Sequence, residues 1–164
     1  MKYRKLQAIL LVFIMVLSLA GCQKVDEKIS EKVVEEIIGS ATGGKIDIKK
    51  DGLKLETGDT EMEVGDELEW PVEAMGDLPV PKARFDFIMK NDENKSCTVT
   101  FKDLDEDDGR AYFDILVEMG FKGGTYLNTD DILMFSGSRE NGTGVNYNYN
   151  PISKEGFIIF EITQ

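Results

Sequence analysis

The strongest constraint on how this chain can fold is a period of two in its apolar residues, broken every few positions by turn formers. Ile46 and Ile48, Leu53 and Leu55, Met62 and Val64, and Leu68 and Trp70 fall in alternating pairs, separated by Asp51-Gly52, Gly58-Asp59 and Gly65-Asp66. Alternation places every second side chain on one face of a strand, and short Gly/Asp turns fold successive strands back on one another. Two-residue turns at Asp51-Gly52 and Gly58-Asp59 set Ile48 opposite Leu55 and Leu55 opposite Met62. A three-residue loop at 65–67 then sets Met62 opposite Trp70 and Val64 opposite Leu68. All four strands share one apolar face in this register, and a one-residue slip would turn that face outward.

Pro71 ends the run, and residues 72–84, with Pro79 and Pro81, read as an irregular connection. Phe85, Phe87 and Met89 alternate next, and the loop from Asn91 to Lys95 returns the chain into Cys97, Val99 and Phe101. That loop predicts Met89 facing Cys97, Phe87 facing Val99 and Phe85 facing Phe101. Asp105 with Asp108 resembles a capping box in which Asp replaces the usual Glu, and it opens a helix bearing Ala111, Tyr112, Ile115, Leu116 and Met119. Gly120 closes that helix. Strands are predicted over 121–128, 132–137, 143–150 and 156–162, with Asn141-Gly142 as a hairpin turn. The last is apolar on both sides and belongs in the middle of a sheet.

Ahead of all this, residues 25–38 carry Val25, Ile29, Val33 and Ile37 four apart, widened by Val34 and Ile38, with charged residues between. This is the stripe of an amphipathic helix, ended by Gly39. The stripe requires a partner, either the domain itself or a second such helix. The expected fold class is α+β: an N-terminal amphipathic helix, antiparallel β-hairpins or a meander, and one central helix packed on an antiparallel sheet.

The N-terminus reads as an address. Lys2, Arg4 and Lys5 precede an uninterrupted apolar run over 8–17, and Ser18-Leu19-Ala20-Gly21 brings small residues up to Cys22, the three-part layout of a secretory signal. As helix, 6–20 would reach about 22 Å, short of a hydrocarbon core of ~30 Å. Leu19-Ala20-Gly21-Cys22 resembles the lipobox of bacterial lipoproteins. The resemblance implies that the Cys22 thiol receives a diacylglyceryl group, that cleavage makes Cys22 the first mature residue, and that palmitate-type chains hold the protein on the extracytoplasmic face of the cell membrane. Two or more acyl chains anchor stably where one does not. The implied organisation is a signal peptide over 1–21, a lipidated N-terminus and amphipathic helix over 22–42, and a single α+β domain over 43–164. With Cys22 acylated, Cys97 has no disulfide partner and reads as a small buried thiol.

Charge narrows the function classes. The 164 residues hold 19 Lys+Arg against 31 Asp+Glu and no His; loss of the three bases in the signal leaves a net −15. Such a surface repels phosphate backbones, which excludes nucleic acid as a partner. The absence of His removes the commonest metal ligand and the side chain that titrates near neutrality, so no metal or other cofactor is expected.

Several motifs invite a chemical reading. Gly39 to Lys45 matches the glycine and lysine positions of a phosphate-binding loop, but Ile46 stands where a hydroxyl residue is needed and the order is helix, loop, strand. Asp103, Asp105, Asp107 and Asp114 mimic calcium-loop spacing, yet Asp108 occupies the place that requires Gly. Acidic residues at a helix N-terminus are equally favoured by its dipole. In Val145-Asn146-Tyr147-Asn148-Tyr149-Asn150, alternation puts Tyr147 and Tyr149 on one face and the three Asn on the other. An exposed Tyr face would suit glycan or peptide binding and makes Tyr147 and Tyr149 the candidate ligand-binding residues; a buried one would be core. No G-x-S-x-G occurs, and the scattered carboxylates nominate no catalytic pair, so no catalytic residue is assigned.

Residues 43–164 also resemble small domains of uncharacterised lipoprotein families in Gram-positive bacteria, through Gly43-Gly44-Lys45 and Trp70-Pro71. That resemblance implies a placement and no mechanism. The functional expectation is a membrane-anchored, non-enzymatic binding module that engages an envelope protein, peptide or glycan. The alternatives are a carboxylate-dependent envelope hydrolase and a structural lipoprotein acting through the 25–38 helix.

Overall fold

The computed structural model describes residues 43–49 and 52–162. Cys22 and the amphipathic segment 25–38 lie outside the described residues. Nine strands are described: β1 Lys45–Lys49, β2 Gly52–Thr57, β3 Thr60–Leu68, β4 Arg84–Asn91, β5 Ser96–Lys102, β6 Lys122–Asn128, β7 Leu133–Ser138, β8 Thr143–Asn150 and β9 Glu155–Ile162. Two short helices, α1 Val72–Met75 and α2 Glu106–Glu118, complete the described elements. All strands join one antiparallel sheet in the order β1-β2-β3-β4-β5-β9-β8-β7-β6.

This corrects the α+β expectation. The described residues are mostly β, nine strands in a single continuous sheet with only two short helices, of four and thirteen residues. The physical reason is that period-two alternation runs through most of the described chain, and the pairing of β3 with β4 and of β5 with β9 joins the strands of both halves into one sheet. β9 does lie centrally, between β5 and β8, with one face, bearing Ile158 and Phe160, buried.

Two register expectations also fall. β1 pairs β2 with Ile48 opposite Leu53, two residues from the predicted partner, although Leu55 does oppose Met62. No turn forms at 65–67; β3 runs on to Leu68 and pairs β4, placing Met62 opposite Met89, Val64 opposite Phe87 and, beyond an irregularity, Leu68 opposite Phe85. Trp70 instead enters the core, its ring 5.2 Å from that of Phe85, and the Pro71 carbonyl accepts hydrogen bonds from the Ala74 and Met75 amides to start α1.

The decisive irregularity is in β4. Phe85 opposes Phe101 as predicted, but Phe87 opposes Thr100 and Met89 opposes Thr98, so one extra residue, Asp86, is inserted between Phe85 and Phe87. Thr100 donates its hydroxyl proton to the Asp86 carboxylate. A bulge of one residue flips every side chain beyond it to the other face. From β4 to β9 the core face therefore carries Ile88, Val99, Ile158, Tyr147 and Phe135, all buried. From β4 back to β1 the apolar residues Phe87, Met89, Val64, Met62, Leu55 and Leu53 line the opposite face, because antiparallel partners share a face.

The core lies over the β5-β9-β8-β7 half, beneath α2, α1 and the 70–83 connection. Phe101, Leu104, Phe113, Leu116, Tyr147, Tyr149 and Ile158 are all fully or almost fully buried in it. At about 25 cal/mol per Å² of apolar area removed from water, this cluster supplies most of the drive to fold. Leu55, at 5% exposure, is buried yet stands apart from that cluster.

Candidate functional site

The two candidate tyrosines are interior. Tyr147 and Tyr149 retain 1% and 0% exposure, and their rings pack 6.3 Å apart. Alternation on β8 put both on one face, as the sequence implies, and the face is the one under α2. The Tyr147 hydroxyl donates to the Gly109 carbonyl at 3.0 Å and the Tyr149 hydroxyl to the Leu104 carbonyl at 2.7 Å. Burial raises both phenols above their ordinary range. These rings anchor α2 and its lead-in to the sheet and meet no solvent-borne ligand. Gly109 permits the close approach, since a Cβ there would collide with the Tyr149 ring. Cys97 is likewise buried, and burial pushes its thiol up to about 11, so little thiolate forms near neutrality.

Of the four acidic residues with calcium-like spacing, Asp103 and Asp105 are engaged in separate ion pairs, as is the neighbouring Asp108. Asp103 pairs with Arg84 at 2.8 Å, Asp105 with Lys154 at 2.7 Å and Asp108 with Lys82 at 2.7 Å. The capping box therefore does not form, although α2 begins at Glu106 as predicted: Asp105 makes no side-chain cap. Among the described residues, no group of three or more His, Cys, Asp or Glu gathers as a metal would need.

Two surfaces remain, and sequence reasoning missed both. The first is a charged ladder where the core face passes onto the β1-β4 wing. Lys54 reaches Glu61 at 2.9 Å, Glu63 at 3.4 Å and Glu56 at 3.5 Å, while Lys90 reaches Glu61 at 2.7 Å. Hydrogen bonds from Lys54 and Lys90 hold the Glu61 carboxyl down to about 2 from its ordinary 4.5, and Glu61 raises Lys54 in return. Charges opposed in this way neutralise one another and leave no free acid or base. The period-two charge pattern Lys54, Glu56 and Glu61, Glu63 is visible in the sequence, and the register expected through Gly58-Asp59 sets it face to face; what was missed is the pairing of β3 with β4 that brings Lys90 to Glu61.

The second surface is the far edge of the sheet. β6 is exposed at all seven positions. Its inner side pairs with β7, the Thr125 amide donates to the Ser136 hydroxyl at 2.9 Å, and its outer side borders no described strand. Tyr126 is 60% exposed, yet its ring stands edge-on to buried Phe113 with centroids 4.6 Å apart. Leu127 is exposed on the other face. Asp130 and Asp131 follow in an exposed turn, in which the Thr129 amide bonds the Ile132 carbonyl at 3.0 Å. At the other end of β6, Lys122, Gly123, Arg139 and Asn141 border an open groove of about 600 Å³. The guanidinium of Arg139 stacks 4.0 Å over the Phe121 ring and is held by Asp77 at 2.9 Å, which fixes that end of the edge. The sequence signals a strand here, starting without apolar alternation at Lys122-Gly123-Gly124-Thr125, and carries no mark of its being an edge.

Compared with known proteins, the chain matches no family model, no curated protein and no solved structure.

Proposed function

We propose that this protein is a lipid-anchored, extracytoplasmic interaction module that binds an extended peptide segment of an envelope protein along β6. The observation that carries this reading is the wholly exposed edge strand with one aromatic and one aliphatic side chain facing outward on its two sides. An edge presents unpaired backbone donors and acceptors, to which a peptide adds as a further strand, while pockets for alternate side chains provide selectivity. Tyr126 is preorganised by Phe113, so little side-chain entropy is lost when a peptide covers it. The neighbouring Asp130 and Asp131 favour a peptide with a basic residue at that end. The anchoring half of the proposal rests on the Leu19-Ala20-Gly21-Cys22 lipobox.

Photo-cross-linking in the native host tests it, with the reactive side chain placed at Tyr126 in one strain and at exposed Glu93, on the β4–β5 turn, in another. The expected result is a discrete protein adduct from position 126 alone, mapped by mass spectrometry to an extended segment, on a protein whose N-terminal peptide carries acylated Cys22. Equal adducts from both positions, or none from 126, would remove the edge-binding reading; an unacylated Cys22 would remove the anchor.

A further inference from the structure

The back face of the β1-β4 wing is apolar and stands outside the core. Leu53, Leu55, Met62, Val64, Phe87 and Met89 share it, in register across β2, β3 and β4. A sheet that is apolar on a face must bury that face against another element. Neither α1 nor α2 does so, because both belong to the core on the other side, where Met75, Phe113 and Leu116 are buried. Leu55 is nonetheless reduced to 5% exposure, so the face behaves as covered surface.

We infer that the back face of the wing is the docking site for this chain's own residues 25–38. The stripe of Val25, Ile29, Val33 and Ile37 supplies apolar side chains along a helix of about 21 Å, and β2 to β4 span about 10 Å across with strands long enough to receive it. Connection is sufficient: seven residues lie between Ile38 and Ile46 of β1, and an extended linker of that size reaches about 25 Å. The charged residues between the stripe positions remain in solvent, which the acidic chain tolerates. A second copy is a poorer occupant, since the same stripe, tethered in cis, is present at an effective concentration in the millimolar range.

Docking fixes the orientation of the whole molecule. Only Gln23 and Lys24 separate Cys22 from Val25, so the wing is held close to the anchor point, and β6 lies six strand spacings from β3 at the centre of the docking face, about 29 Å.

Methionine oxidation in the full chain reads this directly, because Met62 and Met89 lie on the face and Met75, at 0% exposure, reports on the core. In detergent-solubilised protein carrying Val33→Asp and Ile37→Asp, peroxide oxidation of Met62 and Met89 should accelerate about fivefold or more while Met75 stays protected, as uncovering a thioether predicts. The polar-face pair Glu31→Gln and Glu35→Gln should change nothing. If the Asp variants fail to fold, Val33→Ala with Ile37→Ala serves, with a smaller acceleration at the same two residues. Unchanged rates at Met62 and Met89 would overturn the inference, and so would protection in the parent protein that rises with its concentration, which assigns the face to a second copy.

Discussion

The two halves of the sheet are built from the same alternating pattern, yet they bury opposite faces. In the β5-β9-β8-β7 half the apolar set lies under α2 and is locked by tyrosine hydroxyls that bond α2 and its lead-in. In the β1-β4 wing the apolar set is on the back, and the face continuous with the core carries the Lys54-Glu61-Lys90 ladder. One residue, Asp86, separates the two regimes. The lesson is that a bulge can change which side of a sheet is interior without changing the hydrophobic period on either side of it.

The largest expected effect therefore comes from removing that residue. Deleting Asp86 leaves Phe85, Ile88 and Lys90 on the core face and Phe87 and Met89 on the back, but the three residues of β3 between Val64 and Leu68 then face none on β4, so Phe85 cannot keep Leu68 while Phe87 keeps Val64, and Thr100 loses its acceptor. The expected outcome is loss of a cooperative urea transition, equivalent to a destabilisation above ~4 kcal/mol, at the exceptional end for a change of one residue. A deletion variant that unfolds within ~1 kcal/mol of the parent would show that β3 and β4 re-pair freely around this position.

Core and wing should also differ in their response to truncation. Phe101 is 2% exposed and packs 6.2 Å from both Tyr147 and Tyr149. Phe101→Ala should cost ~3–5 kcal/mol through the cavity it leaves, whereas Met62→Ala on the half-buried back face should cost about 1–2 kcal/mol. Equilibrium urea unfolding of both variants measures the contrast, and equal costs would mean that the wing is as much core as the centre.

Much of this architecture was legible in the residues. The strands at 121–128, 132–137, 143–150 and 156–162 were readable from alternation and turns, as were the α2 start at Asp105 and its Gly120 stop, where φ is +84°. The central place of β9 followed from Phe157 to Ile162 being apolar on both sides. What could not be read was the bulge, because Asp86 between two phenylalanines looks like ordinary polar-out alternation. The continuation of β3 through Gly65-Asp66 was missed for a related reason: Gly-Asp favours a turn locally, and the pairing of Leu68 with Phe85 overrides that preference. For the candidate site, the shared face of Tyr147 and Tyr149 was legible, but whether it was wet or dry depended on where α2 lands. The β6 edge was legible only as a strand, since being an edge is a property of the whole sheet order.

The smallest expected effect is also the most specific to the wing. Glu61 is the centre of the charged ladder, bonded by Lys54 and Lys90, and its carboxyl is held down to about 2 from an ordinary 4.5. A carboxyl whose folded value lies below its unfolded value binds protons more readily when unfolded, so its stabilisation is complete above about pH 4.5 and is lost as pH falls towards about 2. The pairs are partly solvated, so screening keeps the whole contribution below ~1 kcal/mol. Glu61→Gln should therefore be less stable than the parent by under ~1 kcal/mol at pH 6, with the gap closing as both are taken down to pH 2. Other carboxylates, among them Asp66 and Asp105, are also held below their usual range and move both proteins together. The difference between the two proteins isolates Glu61. Urea midpoints at closely spaced pH values measure it, and a gap that persists unchanged at pH 2 would mean that the ladder positions the strands by shape, with no net electrostatic contribution from Glu61.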